Sequence, residues 1–256
     1  MIVANKLLTR RSVLSSLALG GSATLLTGCD ALSQSPAFRE ILASGEWLSY
    51  HVQRLIGGSA LAREYTAAEM SPDFRTNGNT RPRSDAWNRL AASNFTAYRL
   101  AVDGLVETPQ SFSLADLRAM PPRTQITRHD CVEGWSAIGQ WTGVPLAAVL
   151  DRVRLSPNAR FVVLHCADDF SGTPYYESID LNDAFHPQTI LAYGMNGGVL
   201  PIGHGAPLRL RVERQLGYKQ AKFIMRIEAV ESLAQVGGGR GGFWEDAGSY
   251  DWYAGI

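Results

Sequence analysis

The sequence has little cysteine and no excess of either charge. Only 3 of its 256 residues are cysteine, which is too few, and odd in number, for a disulfide scaffold. The 24 basic and 24 acidic side chains give a formal net charge of +0, whereas nucleic-acid-binding proteins usually carry a basic excess. The hydrophobic fraction of 45% excludes a wholly disordered chain and suffices for a core without disulfides.

A long apolar run is also lacking. The apolar stretch from Val13 to Leu26 is shorter than the ~20 residues that a membrane-spanning helix needs. It follows Lys6 and the Arg10-Arg11 pair, and no acidic residue stands before it. This order predicts an export signal. The segment Thr9–Leu14 resembles the twin-arginine motif, whose pathway exports folded proteins.

The apolar stretch ends at Leu26-Thr27-Gly28-Cys29, which resembles a bacterial lipobox. We therefore expect residues 1–28 to be a removable signal peptide and Cys29 to carry lipid, which anchors a protein to a membrane. Asp30 after the cysteine resembles an inner-membrane retention signal. The expected location is periplasmic and lipid-anchored, after export by the twin-arginine route.

The rest of the chain predicts a single mixed α+β domain. Ser35-Pro36 is typical of a helix start and Gly57-Gly58 of a helix end. Further patterns predict helices at 84–93 and 145–153 and strands at 95–102, 123–131, 161–166, 190–195, 208–212 and 223–230. We assign residues 29–69 to the lipidated N-terminus with its amphipathic helix, and residues 70–256 to the domain. The polar stretch 66–84 predicts a long loop, and loops of this length are usually either functional or disordered.

Reactive residue types are concentrated around Cys131. The segment from Arg128 to Trp135 reads Arg-His-Asp-Cys-Val-Glu-Gly-Trp. Neighbouring Arg128 and His129 predict a lowered pKa for the Cys131 thiol, and the thiolate is the form that binds metal or attacks. Glu133 in the same segment could orient the Cys131 loop, but we expect it to pair with an arginine.

These residues alone leave several hypotheses open. Cys131 could be a nucleophile with His129 or His165 as its base. It could share a zinc site with both histidines and Cys166, although their spacing is not that of usual zinc fingers. It could be the single thiolate on a larger cofactor metal, or simply a buried structural cysteine.

Three long segments resemble the sulfite-oxidase-fold molybdopterin oxidoreductases, especially their small bacterial exported members. The segment 128–135, followed by Trp-Thr-Gly-Val-Pro-Leu at 141–146, resembles the stretch around the molybdenum-binding cysteine of that family. The segment 191–210 resembles its second signature, and 217–222 resembles its phosphate-contacting stretch. The resemblance spans about residues 70–256.

The resemblance implies molybdenum and molybdopterin as cofactors. Cys131 would be the protein thiolate on the metal, because soft sulfur suits it. Tyr175, in a segment similar to that of the active-site tyrosine of the family, would hydrogen-bond a substrate oxyanion or a molybdenum-bound oxygen. Arg128 would either attract an anionic substrate or form a structural salt bridge. The other residues that the resemblance assigns to the pterin or its phosphate are Asn77, Cys166, His204, Arg209, Gln220, Ala221 and Lys222.

The implied reaction is oxygen-atom transfer to or from a small substrate such as sulfite or a sulfoxide. Its direction is left open. A haem attachment motif is absent because Cys29, Cys131 and Cys166 are the only cysteines. We therefore expect a separate redox partner, either a haem protein or a quinone-linked membrane subunit. The alternative function is an exported lipoprotein binding module that has the same fold but no turnover.

Overall fold

The computed structural model describes residues 35–58 and 60–256. The predicted signal peptide, its paired arginines and Cys29 lie outside these residues. The chain divides into two compact units, one up to Leu55 and the other from Ile56 to Ile256. No helix within the described residues is both long and apolar enough to cross a membrane.

Helix α1 spans Pro36–Gly57. It starts with proline at its first position, where the missing N–H costs no hydrogen bond, and it ends at glycine. Both ends confirm the positions predicted from the sequence.

The second unit contains the remaining described elements. Its helices are α2 Asp85–Ala92, α3 Leu114–Ala119, α4 Leu146–Val153, α5 Leu181–Ala184 and α6 Phe243–Gly248, with 3-10 turns at Ala67–Glu69, Ile202–His204 and Gly217–Lys219. Its strands are β1 Arg99–Gly104, β2 Gln110–Ser113, β3 Arg123–Asp130, β4 Ser136–Pro145, β5 Phe161–Phe170, β6 Thr173–Asp180, β7 Ile190–Met195, β8 Gly198–Val199, β9 Arg209–Arg211 and β10 Ile224–Val230. This content confirms the mixed α+β class.

The strands form two sheets. The first has the order β2-β1-β10-β5-β6, in which β1 and β10 run parallel and the other neighbours antiparallel. The second has the order β3-β4-β7-β8, and β9 also pairs with β7. The larger hydrophobic core joins alternate residues of β1, β5 and β10 to helix α4. A smaller core around Phe74, Trp141 and Ile190 belongs to the second sheet.

Strand β4 was not predicted, because glycines interrupt its alternation of polar and apolar residues. Gly143 allows close approach to β7, since a Cβ atom there would lie 2.3 Å from the Leu191 carbonyl oxygen. Strand β6 was also missed, and β5 continues to Phe170 beyond the predicted end at Cys166. Glycine has a low strand propensity, so Gly143 argues against a strand in the sequence, although in the structure it allows β4 to pack closely against β7.

The segment 60–69 belongs to the second unit, although the sequence placed it with the N-terminal region. The Tyr65 N–H donates to the Ile126 carbonyl over 2.8 Å. The Ala62 N–H donates to the side chain of buried Gln188 over 2.7 Å. The compact unit therefore begins before residue 70.

Candidate active site

Cys131 lies at the tip of the β3–β4 hairpin. Its N–H donates to the Trp135 carbonyl over 2.9 Å, and its own carbonyl accepts from the Gly134 N–H over 3.0 Å. Gly134 has φ +86°, a left-handed conformation that glycine adopts without steric cost. This tight loop places Cys131 at the edge of the second sheet with its side chain buried.

The electrostatic surroundings of Cys131 differ from those expected. Arg128 and His129 alternate across β3, so that Arg128 faces solvent while His129 is buried. Arg128 forms an ion pair with Asp130 and does not line the pocket described below. Burial raises the pKa of the Cys131 thiol, and Arg209 opposes this rise. The prediction of a lowered pKa in the free protein was wrong, and the position of Arg128 gives no support to a catalytic role.

A pocket of about 740 Å³, including its open mouth, surrounds Cys131. Its walls come from five separate parts of the chain. The lining residues are Asn77, Gly78, Asn79, Cys131, Val132, Glu133, Asp168, Phe170, Tyr175, Gly217, Tyr218, Gln220, Lys222, Trp244 and Tyr250. The predicted site residues Asn77, Cys131, Tyr175, Gln220 and Lys222 are therefore brought together.

Lys222 lines the pocket and holds the polar loop around Asn77 against it. Its ammonium group donates to the carbonyls of Asn77 over 2.6 Å, Gly203 over 3.1 Å, and also Asn79. Burial and the charge of Arg209 lower the pKa of Lys222 to about 7. Asn79 in turn donates to Asp168 over 3.1 Å. The polar loop predicted from the sequence thus forms one wall of the site.

Arg209 is fully buried next to this pocket and is incompletely paired. One guanidinium nitrogen donates to the His204 carbonyl over 3.3 Å, while Nε and the second Nη have no partner within the described residues. Burial and the neighbouring Arg211 lower the pKa of Arg209 to about 9. His204 Nδ1 and Asn77 Oδ1 are likewise buried without a partner. Buried polar groups are normally paired, so these atoms indicate that a polar ligand belongs here.

The geometry does not favour a cysteine nucleophile. His129 Nδ1 accepts a hydrogen bond from Arg211 over 3.1 Å, and burial lowers the pKa of His129 well below its ordinary value. His165 lies on the first sheet and bonds Glu228 over 2.8 Å. Neither ring is hydrogen-bonded to the Cys131 sulfur.

The zinc hypothesis also lacks support. Among residues 35–58 and 60–256, no three histidine, cysteine, aspartate or glutamate side chains are arranged to hold a metal ion. A single thiolate beside unpaired buried donors is the arrangement that a large metal cofactor with its own ligands requires.

Comparison with known proteins agrees with this geometry. Residues 88–235, more than half of the chain, match the model of the oxidoreductase molybdopterin binding domain. The chain belongs to the sulfite-oxidase-type molybdopterin oxidoreductases. The expected fold, enzyme class and molybdenum-molybdopterin cofactor are thereby confirmed.

Two curated relatives and one solved structure give the context of this molybdopterin oxidoreductase. Over 94% of its length, this chain is 37% identical to a protein of Azospira oryzae named protein-methionine-sulfoxide reductase subunit YedZ1, and the match covers 85% of that protein. Over 52% of its length, it is 38% identical to the protein-methionine-sulfoxide reductase catalytic subunit MsrP of Ralstonia nicotianae, and the match covers 44% of that protein. The sulfane dehydrogenase SoxCD of Paracoccus pantotrophus matches 58% of the chain and 45% of its own, with 25% identity and a TM-score of 0.48.

The residues present fit molybdopterin. Unpaired nitrogens of Arg209 offer a planar donor set that matches a phosphate group. Lys222 adds a buried ammonium group, and Gln220 lies on the lining beside it. Ala221 is buried between these two residues.

Tyr175 and Cys166 differ in their relation to the pocket. Tyr175 lines the pocket, and its hydroxyl donates to the Tyr218 carbonyl over 2.7 Å. Cys166 does not line the Cys131 pocket. It lines a neighbouring depression that shares Asp168 with it, so its assigned contact with the cofactor stays a prediction.

Sequence reasoning missed part of the lining. Asp168 and Phe170 come from the end of β5, and Trp244 and Tyr250 come from the C-terminal segment. Glu133 was expected to pair with an arginine, but it accepts from the Trp135 indole over 3.0 Å and lines the pocket. The one available signal was the group of aromatic residues that follows the glycine-rich stretch 237–242.

Proposed function

We propose that this chain is the catalytic subunit of a periplasmic sulfoxide reductase, acting on methionine sulfoxide. The net reaction takes a sulfoxide, two electrons and two protons to a thioether and water. The molybdenum cofactor, when bound, supplies the two-electron redox chemistry and exchanges the oxygen atom. The similarity to two proteins named as methionine-sulfoxide reductase subunits supports this substrate class.

The charge of the pocket favours a neutral sulfoxide over the sulfite anion as substrate. Its lining includes the carboxyl groups of Glu133 and Asp168 and a single cation, Lys222. The Lys222 ammonium group already donates to three carbonyls, and Arg209 lies beside the pocket in the role of a phosphate ligand. A sulfite anion would meet mainly acidic groups, whereas a neutral sulfoxide does not incur this repulsion.

The chain's own residues divide the remaining work. Cys131 would bind the metal through its thiolate, since a coordinating thiol is deprotonated. Arg209, His204, Asn77 and Lys222 would hold the pterin and its phosphate, together with Gln220 and Ala221. These groups position the cofactor and leave the mouth of the pocket for substrate.

Tyr175 would donate a hydrogen bond to the sulfoxide oxygen. Burial, followed by the charge of Glu177, raises the Tyr175 pKa well above its ordinary value, so the phenol keeps its proton. The hydroxyl bonded to the Tyr218 carbonyl can turn toward an acceptor in the same pocket. A neutral donor polarises the sulfur–oxygen bond without attracting anions.

Electrons would come from a separate protein, because the sequence has no haem attachment motif. The relative named MsrP is itself called a catalytic subunit, which supports a divided enzyme. A haem protein or a quinone-linked membrane subunit would serve as donor. The export signal and Cys29 support a location on the outer face of the inner membrane.

Metal content and kinetics of the enzyme test the proposal. Protein from a host that makes the cofactor should contain about one molybdenum and one pterin per chain. With reduced viologen it should reduce methionine sulfoxide, and with ferricyanide it should oxidise sulfite far more slowly. A Cys131→Ala enzyme should lose activity, because the only protein thiolate on the metal is removed.

The matched control is Cys166→Ala, which removes the other thiol outside the pocket. It should keep much more activity than Cys131→Ala, because Cys166 would contact the cofactor without binding the metal. Stoichiometric zinc without pterin fluorescence, or full activity of Cys131→Ala, would contradict the assignment. Sulfite oxidation faster than sulfoxide reduction would contradict the proposed substrate.

A further inference from the structure

One side of the pocket is an aromatic wall. It consists of Phe170, Tyr218, Trp244 and Tyr250, all of which line the pocket. The Phe170 and Trp244 rings lie 5.1 Å apart and the Trp244 and Tyr250 rings 5.9 Å apart, the latter stacked. The Tyr218 and Tyr250 rings meet edge-on at 5.0 Å. Trp244 and Tyr250 are only partly buried, so they remain accessible from the pocket.

Two of these rings come from outside the common domain. Trp244 and Tyr250 lie beyond residue 235, where the match to the molybdopterin-binding family ends. Helix α6 carries Trp244, and Ser249 at its end has φ 55°. The Tyr250 N–H then donates back to the Trp244 carbonyl over 3.3 Å. The turn places both rings on the same side.

A buried ion cluster fixes this segment to the domain. The Lys219 ammonium group donates to Glu245 of α6 over 2.6 Å and also to Glu177 of β6, and all three side chains are fully buried. Gly242 lies against the carboxylates, since a Cβ atom there would come within 2.1 Å of Glu245 Oε2. The Tyr218 hydroxyl donates to the Asp251 carbonyl over 2.6 Å. The wall is therefore held in place rather than loosely attached.

The chemistry of this wall suits an apolar group attached to sulfur. Methylene groups gain from burial against aromatic rings. Glu133 and Asp168 line the same pocket and disfavour an anionic substituent. Among neutral sulfoxides, the aromatic wall would therefore favour those with long alkyl substituents over those with short ones.

We propose that the segment from Gly242 to Asp251 determines substrate specificity, with Trp244 and Tyr250 binding the side-chain methylenes of a methionine sulfoxide residue within a peptide. This inference rests on the proposed sulfoxide reduction. It identifies the part of the chain that would select the peptide substrate over a small sulfoxide such as dimethyl sulfoxide. Dimethyl sulfoxide lacks these methylenes and makes little use of the wall.

Substrate discrimination is the measurement. The quantity is the ratio of kcat/KM for a blocked methionine-sulfoxide tripeptide to kcat/KM for dimethyl sulfoxide, with reduced viologen as donor. Trp244→Ala and Tyr250→Ala should each lower this ratio by roughly tenfold, the scale of a lost apolar contact in a substrate pocket. The loss should appear mainly in KM for the peptide. Tyr250→Phe keeps the ring and should keep the ratio.

A remote ring provides the control for loss of an aromatic side chain. Phe185 is exposed and is not part of the pocket lining, so Phe185→Ala should leave both activities unchanged. Molybdenum content and circular dichroism identify a variant that is misfolded, and Trp244→Phe then replaces Trp244→Ala. Equal ratios in wild type and both alanine variants would overturn the inference while leaving sulfoxide reduction intact. A wild-type enzyme that reduces neither substrate would overturn the proposed function itself.

Discussion

Arg209 illustrates how a single residue can favour ligand binding at the expense of the free protein. Its guanidinium is fully buried, and two of its nitrogens have no partner within the described residues. The lowered pKa, about 9, reflects how unfavourable this buried charge is. Arg209→Met should therefore raise the free energy of unfolding of the cofactor-free protein by ~1–3 kcal/mol. Urea denaturation of cofactor-free wild type and variant measures the difference.

The same substitution should abolish retention of the cofactor, because methionine offers no donor to phosphate. Arg209→Lys is the matched control. It keeps the charge but loses the planar donor set, so we expect partial loading and no gain in stability. A destabilised Arg209→Met protein would show that the guanidinium contributes to the fold itself.

At the scale of elements, the ion cluster of Lys219 holds α6 against β6. Two buried carboxylates share one ammonium group, and burial raises the Glu177 pKa well above its ordinary value. Lys219→Met would leave both carboxylates without their partner and should cost about 3–5 kcal/mol of unfolding free energy. Glu245→Gln removes the excess negative charge and should cost about 1 kcal/mol or less. Urea unfolding at pH 7 measures both.

The pH dependence gives this prediction a second readout. A carboxyl group with a raised folded pKa contributes stability below its unfolded pKa, and that contribution is lost as the pH rises toward the folded value. The stability of the wild type should therefore fall above pH ~4.3, the ordinary value for glutamate, more steeply than that of Glu245→Gln. Parallel curves would mean that Glu177 holds no extra proton in the fold.

These elements also show what the sequence can and cannot predict. Strand β3 follows from its local alternation, and the helix ends at Pro36 and Gly57 follow from their end residues, whereas strand β4, the other arm of the Cys131 hairpin, does not. The wall and the ion cluster do not, because Lys219, Glu177 and Glu245 are far apart in the chain and share no local periodicity. These ion pairs form only when the C-terminal segment folds back onto β6, and local propensities do not predict such a long-range contact.

At the scale of the whole molecule, the site exists only in the folded chain. Its walls come from residues 77–79, 131–133, 168–175 and 217–222 and from the C-terminal segment with Trp244 and Tyr250. The residues that would hold the cofactor come from three of these segments and from His204 and Arg209, so the cofactor can be bound only after the domain has folded. If the chain is exported as we propose, it must cross the membrane folded, which is what the predicted twin-arginine signal would allow.

Two variants of the full chain separate export from anchoring. Replacing Arg10 and Arg11 with lysine should retain the protein in the cytoplasm, still loaded with molybdenum, because folding and cofactor binding precede export. Cys29→Ser should remove the lipid site, so that the exported, loaded protein appears in the soluble periplasmic fraction. Cell fractionation with metal analysis of each fraction measures both. Lysine variants that reach the periplasm at the wild-type level would contradict the twin-arginine route, and a Cys29→Ser protein still held in the membrane would contradict lipid anchoring.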